Sequence, residues 1–255
     1  MNNAIGVVQQ GVVILLAGLS VLTFFSTLKK VNPYGRYAAA DEKHTMASRP
    51  GWLLFESPQW WAFTVTYWST AEALSSPGLV LYALWQCHYI YRGVFYPLRR
   101  NDHTKRFPIN TVIFGILFNA LNGFANGYAV GHAEHLMDPA WFADPRFGLG
   151  LIIAAVGWIV NYQADTILIH LRSDGFTGYR IPRGGAFHWV SGANYSGEIL
   201  LWTGWAIMSW TLAGFVFALF TVSNLLPRAL SHHQWYLQHF PDYPRERKAV
   251  IPWVL

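Results

Sequence analysis

Runs of apolar residues, each about as long as a bilayer is thick, constrain this chain more than any other feature. The clearest cover about 6–28, 78–98, 109–131 and 147–171. A helix rises ~1.5 Å per residue, so ~20 residues cross ~30 Å of hydrocarbon. A weaker run at 52–71 carries Glu56 and Pro58, and the stretch from Phe187 to Pro227 has room for two short spans, about 187–208 and 211–227. Buried core helices of a soluble protein are the alternative, and composition opposes them. Charged residues make up 12% of the chain, against about 25% in an ordinary soluble domain, too few for a polar shell around so much apolar sequence. The same scarcity excludes a disordered tail or a nucleic-acid-binding arm. The 13 tryptophans suit a protein with two membrane interfaces to anchor. A single cysteine, Cys87, excludes a disulfide framework and a cysteine-based zinc site. The first run lacks a positive leader and is followed by Lys29-Lys30, so it reads as a span with a stop, not a signal peptide.

Basic residues set the span count. With seven spans and the N-terminus outside, the inner side holds Lys29, Lys30, Arg36, Lys43, Arg49, Arg92, Arg99, Arg100, Lys105, Arg106, Arg172, Arg180, Arg183, Arg228, Arg245, Arg247 and Lys248. Only Arg146 falls outside, so 17 of 18 basic residues lie on one side. Six spans would put five outside. The positive-inside rule favours seven. The expected fold is therefore all-α: one polytopic seven-helix membrane domain over residues 1–255, C-terminus cytosolic. No internal repeat is visible, which disfavours a secondary transporter built from two halves.

Ionisable groups at membrane depth are costly and mark function. Glu56, Arg92, Asp165 and Glu198 stand out, with Tyr89 as a milder polar group. Asn161 and Asp165 are four apart and share a helix face, and Asn194 and Glu198 repeat the spacing on another span. Two carboxamides and two carboxylates can bind an amide, a ribose or a cation. Each pair also has a bland reading: Asn161/Asp165 as a tie between helices, Asn194/Glu198 as a cap, Glu56 as an interfacial side chain, Tyr89 as a belt tyrosine. On the inner side, residues 172–186 combine glycines with Arg172, Arg180 and Arg183, whose planar forks suit phosphate; lipid headgroups are the alternative ligand. The segment matches neither a Rossmann fingerprint nor a P-loop. His232 and His233 lack a ligand partner at metal spacing, so no metal is expected, and His132 and His135 read as outer-loop surface residues. The pattern fits a phosphate-bearing cofactor entering from inside and an apolar substrate entering from the bilayer, with no protein partner implied.

The stretch Tyr179-Arg-Ile-Pro-Arg-Gly-Gly-Ala-Phe-His-Trp-Val-Ser-Gly-Ala-Asn-Tyr-Ser-Gly-Glu198 resembles the C-terminal signature, about 110–255, of the steroid 5α-reductases (3-oxo-5α-steroid 4-dehydrogenases). So do His232-His-Gln-Trp-Tyr236, the ending Asp242-Tyr-Pro-Arg-Glu-Arg-Lys-Ala-Val-Ile-Pro, and the N-terminal pieces Pro33-Tyr-Gly35, Trp52-Leu-Leu-Phe-Glu56 and His88-Tyr-Ile-Tyr-Arg92. The resemblance implies a seven-helix reductase of the endoplasmic reticulum or bacterial inner membrane that uses NADPH. It implies that Glu56 and Tyr89 grip the steroid 3-oxo group. By the same resemblance Asn161, Asp165, Arg172, Asn194, Glu198, His232 and Tyr236 bind the cofactor, with Arg92, Tyr179 and Arg180 as additions. Trp52, Trp202, Phe217 and Phe220 fall on the steroid pocket. The chain departs from the pattern at Phe55, where a relative has glutamine, and at Asn224, where an aromatic is expected. A two-residue insertion in the loop 99–106 leaves its cofactor arginine unassigned, with Arg106 the nominal choice. The readings left beside a steroid reductase are a reductase of a polyprenol or long-chain enoyl thioester, and a proton- or cation-coupled transporter. In the reductase reading, Glu56 either donates as a neutral acid, which an apolar setting favours, or accepts from Tyr89 and orients it.

Overall fold

The computed structural model describes residues 2–29, 43–100, 105–171, 176 and 178–255. Long helices dominate: α1 (Asn2–Lys29), α2 (Ser48–Thr70), α3 (Ser76–Ile90), α4 (Tyr96–Arg99), α5 (Ile109–His132), α6 (Glu134–Met137), α7 (Pro145–His170), α8 (Ala193–Ser209) and α9 (Leu212–His239). A wide π-turn, Tyr91–Phe95, joins α3 to α4 without a break. Four helices, α1, α5, α7 and α9, are long and apolar enough to cross a membrane. The all-α expectation needs one small addition. Strands β1 (Thr45–Ala47) and β2 (Arg106–Pro108) pair antiparallel, Met46 opposite Phe107, and clasp the segments that lead into α2 and α5.

Two boundaries differ from the sequence reading. The span expected at 187–208 begins only at Ala193. Gly184 and Gly185 take positive φ (91° and 50°), a conformation open to glycine, and turn the chain into a short 3₁₀ segment, Gly185–His188. The backbone there is then held by the C-terminal segment, through Ser191 N to Lys248 O (2.8 Å), Gly192 N to Ala249 O (2.9 Å) and Lys248 N to Trp189 O (2.9 Å). The second boundary, at Pro227, is no stop. Helix α9 runs through it to His239, although proline removes one backbone donor. The turn beyond is buried, with Ala229 packed against Ala249 and Val250. His232 and Tyr236 are therefore helical. His135 departs from the surface reading too: half-buried, it bonds Ser209 O (2.9 Å) and packs on Trp141. Nearby Arg146 lies over Trp141 and Trp210 and donates to both Asp144 oxygens (2.9 and 2.8 Å). Those bonds pull the Asp144 carboxyl down to about 2.

Close helix pairs position the polar residues. Helix α7 lies along α8, α2 along α5, and α1 along α9. Between α7 and α8 the contact is made by glycines at seven-residue spacing on both helices, Gly150 and Gly157 against Gly197 and Gly204. A Cβ on Gly157 would overlap the Leu201 backbone, and one on Gly197 the Asn161 backbone. Small residues at such contacts let apolar helices approach where lipid offers no competing hydrophobic drive. Gly148, on the same helix, has open space at its Cβ position. Gly197→Ala should lower the unfolding temperature of the purified protein, with about 1–3 kcal/mol lost to overpacking, whereas Gly148→Ala should leave it unchanged.

Candidate active site

The helices enclose a cavity of about 840 Å³. Arg92 is one of its lining residues. Arg92, carried on the π-turn, donates from Nη1 to Asp165 Oδ2 of α7 (2.8 Å). Its Nε lies 3.6 Å from Glu198 Oε1 of α8 and 3.9 Å from Glu56 Oε1 of α2. Its guanidinium carbon sits 4.4 Å from the Tyr96 ring centroid and 5.2 Å from that of Trp52. Trp52 Nε1 donates to Arg92 O (3.1 Å), so one tryptophan fixes both ends of the residue. Three carboxyl groups from three helices thus converge on one guanidinium, and all three residues are buried: Glu56 and Glu198 are each 8% exposed and Asp165 1%. A buried charge persists only when paired and hydrogen-bonded. Among the described residues, Asp165 Oδ1 and Glu198 Oε1 accept no hydrogen bond; Glu198 Oε1 instead faces the Arg92 guanidinium at 3.6 Å.

Most of the residues singled out from sequence meet on this cavity. Glu56, Tyr89, Arg92, Tyr179, Arg180, Asn194, Glu198, His232 and Tyr236 line it, as do Trp52, Trp202, Phe217 and Phe220. Trp202 stacks on Tyr89 (5.4 Å), packs against Phe217 (4.4 Å), and donates from Nε1 to Glu198 Oε2 (3.0 Å). Asn161 and Asp165 stand behind the wall, not on it. Asn161 donates to Asn194 O (3.0 Å), holding the first turn of α8, while Asp165 holds Arg92. Arg172 lies outside the described residues.

Both departures from the family pattern, Phe55 and Asn224, face the cavity. Phe55 stacks on Trp52, and its ring fills the space that a Cβ at Gly115 would need. Arg106, the nominal arginine of the 99–106 loop, is not among the residues that line the cavity. Arg106 is spent on β1, donating to Thr45 Oγ1 (3.1 Å) and Thr45 O (2.9 Å), and the basic groups of that segment on the cavity wall are Arg100 and Lys105. With Arg180 and Arg228 they make a basic end where α4 and α7 stop and α5 and α8 begin. The wall there rests on the C-terminal segment: Ser191 Oγ meets Tyr243 Oη (2.7 Å) and His233 Nδ1 (2.7 Å), and buried Arg247 donates to Pro182 O (3.0 Å).

Sequence reading missed a set of neutral amides. Gln59 of α2 is buried and donates from Nε2 to Tyr89 Oη (2.9 Å), and Asn122 and Asn126 of α5 lie behind it. Their signal was the repeated doublet Asn122-Gly123 and Asn126-Gly127 inside an apolar run.

The structure is an apolar helical bundle in which a buried ion cluster, aromatic side chains and a basic end border one cavity. Comparison with known proteins gives the family. The 3-oxo-5-alpha-steroid 4-dehydrogenase family model matches residues 105–255. A steroid 5-alpha-reductase DET2 of Solanum lycopersicum is 40% identical over 248 residues, 95% of each chain. The 3-oxo-5-alpha-steroid 4-dehydrogenase 1 of Mus musculus is 39% identical, again over 95% of each, and that of Homo sapiens 35% over the whole of both. The chain belongs to the steroid 5α-reductase family and is a multi-pass integral membrane protein.

Removing Arg92 would leave three acidic groups without their cation. Arg92→Met should destabilise the protein by about 3–5 kcal/mol, the usual cost of breaking a buried pair. Arg92→Met combined with Asp165→Asn should recover part of that loss. Thermal unfolding in detergent reads both.

Proposed function

We propose that the chain reduces the Δ4 double bond of a 3-oxo-Δ4-steroid to the 5α-3-oxosteroid with NADPH as reductant. Family membership and identity across nearly the whole length carry the activity: the protein is an oxidoreductase of the 3-oxo-5α-steroid 4-dehydrogenase class. The assignment of groups rests on one observation, that Glu56, Tyr89, the aromatic wall and the basic end share a single cavity.

The chemistry of the walls fits both molecules. Arg100, Lys105, Arg180 and Arg228 supply the charge and donors that phosphates need. Arg172 joins them by its place in the family pattern. Asn194, Glu198, His232, Tyr236 and Tyr179 offer amide, carboxylate, imidazole and phenol groups for a ribose and a carboxamide. Asn161 and Asp165 hold Asn194 and Arg92 in register from behind. NADPH, when bound, supplies the hydride that adds to the enone β-carbon. The protein's part is to accommodate the charge that builds on the 3-oxo oxygen. Tyr89 donates to that oxygen, and Glu56, which makes no hydrogen bond to Tyr89 among the described residues, shares the donation as the neutral acid. Such donors stabilise the transition state more than the ground state because they are fixed beforehand. Tyr89 or water then delivers the proton to the α-carbon. Trp52, Trp202, Phe217 and Phe220 shape the steroid pocket and keep water from the transfer.

The proposed topology is one domain, 1–255, with seven spans. In it α1, α2, α3 with α4, α5, α7, α8 and α9 each cross the bilayer, the N-terminus is outside and the C-terminus cytosolic. Every basic residue of the cavity then faces the cytosolic side, the source of NADPH, in the endoplasmic reticulum or a bacterial inner membrane. A reductase of another membrane lipid is the second reading, and Asn224 in the pocket wall is the observation that keeps it. Transport is disfavoured, since Glu56, Asp165 and Glu198 converge on Arg92 instead of forming a path.

Tyr89→Phe should lower kcat by about 10²–10³, as loss of one oxyanion donor does, and Glu56→Gln, which replaces the acid by a weaker amide donor, should lower it as well, while NADPH binding persists. Wild-type kcat in Tyr89→Phe would contradict the assignment. In a substrate panel, testosterone or progesterone should be reduced and a polyprenol should not. NADPH should exceed NADH in kcat/KM, and equal values would remove the basic end from 2′-phosphate recognition.

A further inference from the structure

The buried amides behind Tyr89 form a chain whose direction can be read. Trp205 Nε1 approaches Asn126 Oδ1 (3.1 Å), and an indole N–H can only donate. Asn126 Nδ2 approaches both Asn122 O and Asn122 Oδ1 (3.1 Å each), and a backbone carbonyl can only accept. These two groups leave Asn126 one amide orientation, and Asn126 then leaves one to Asn122. Asn122 Nδ2 donates to Gln59 Oε1 (3.3 Å), which turns Gln59 Nε2 to Tyr89 Oη (2.9 Å). Amide orientations are ordinarily assigned from the network, and here groups without a choice fix it. The residues are buried: Gln59 is 1% exposed, Asn122 and Asn126 0%, Trp205 2%. Helix contact holds the chain together. A Cβ at Gly123 would sit 2.8 Å from Gln59 O, and one at Gly127 2.7 Å from Phe63 O, so only glycine beside each asparagine lets α5 reach α2. Trp85 Nε1 pins the Gln59 backbone through its carbonyl (3.0 Å).

We infer that Trp205, Asn126, Asn122 and Gln59 are a one-way donor relay that fills the acceptor side of the Tyr89 oxygen and turns its proton to the cavity. Among the described residues the Tyr89 hydroxyl has one hydrogen-bond partner, Gln59, so its own O–H is not taken up by the protein wall. Donation into the phenol oxygen also polarises that O–H, because successive buried hydrogen bonds strengthen one another. The four side chains are positioning residues that act through Tyr89; of them only Gln59 reaches the cavity wall, and Asn122, Asn126 and Trp205 lie behind it. This rests on the reading that Tyr89 donates to the 3-oxo oxygen.

The test is steady-state turnover and NADPH binding of Gln59→Met and Trp205→Phe, each in the wild-type and in the Tyr89→Phe background. Gln59→Met keeps side-chain length and removes the donor. Trp205→Phe keeps an aromatic ring and removes the N–H that sets the direction. The expected result is a kcat about 10-fold lower for Gln59→Met and about threefold lower for Trp205→Phe, as one or more linked buried bonds are lost. Steroid KM and NADPH affinity should stay within about twofold. In the Tyr89→Phe background neither change should lower kcat further, because the group that the relay serves is gone. Wild-type kcat in both single variants, or equal losses in both backgrounds, would overturn the relay. If Gln59→Met does not fold, Trp205→Phe decides by the same comparison. Wild-type kcat in Tyr89→Phe alone would instead overturn the reading beneath it, and the relay with it.

Discussion

The structure depends on the burial of one guanidinium among three carboxyl groups. Arg92 ties α2, α7 and α8 to the turn after α3 at distances of 3.9, 2.8 and 3.6 Å. Such a knot is expensive in an apolar bundle and stays only where all partners are in place. The backbone shows the accommodation. The helix that carries Arg92 widens into a π-turn at Tyr91–Phe95, a feature that often marks functional positions. Gly93, inside that turn, lies against Glu56 Cβ (3.4 Å from a Cβ built there). The turn therefore brings α3 close to α2 at the level of Glu56, and Tyr89 enters the same cavity one helical turn before.

Two glycine-lined contacts set the distances around that knot. Gly157 and Gly197 press α7 on α8 until Asn161 reaches the Asn194 carbonyl, and Gly123 and Gly127 press α5 on α2 until Asn122 reaches Gln59. In both places the small residue adjoins or meets an asparagine. Close backbone approach and buried amide bonding work together, each supplying what the other needs in a medium that offers neither water nor a hydrophobic gradient. The result is a rigid floor under Tyr89 on one side and a fixed first turn of α8 on the other.

Much of this was legible in the residues. The i, i+4 pairs Asn161/Asp165 and Asn194/Glu198 announce a shared face on two helices, and the structure packs those helices together with Arg92 between them and α2. Glu56 and Tyr89 were visible because polar groups in apolar runs are rare. What stayed hidden depends on tertiary context. Pro227 reads as a stop, yet α9 continues because its next turn is buried against Ala249 and Val250. Ser191 and the start of α8 are set by pairing with Lys248 and Ala249, partners more than fifty residues away that periodicity cannot show. Arg106 and Lys105 are neighbours in sequence, but strand pairing turns Arg106 to Thr45 and leaves Lys105 to the cavity. Gln59, Asn122 and Asn126 went unmarked because neutral amides cost less than charges in an apolar run and draw less notice, although their buried bonding is just as demanding.

The central claim is that one cavity holds a reduced nicotinamide against the enone of a steroid. The most direct measurement is product analysis by mass spectrometry and NMR after the purified protein converts testosterone with NADPH carrying deuterium at both nicotinamide C4 positions. The account predicts one deuterium in the product, at C5 on the α face. Turnover without transferred deuterium, or deuterium at any other carbon, would contradict it.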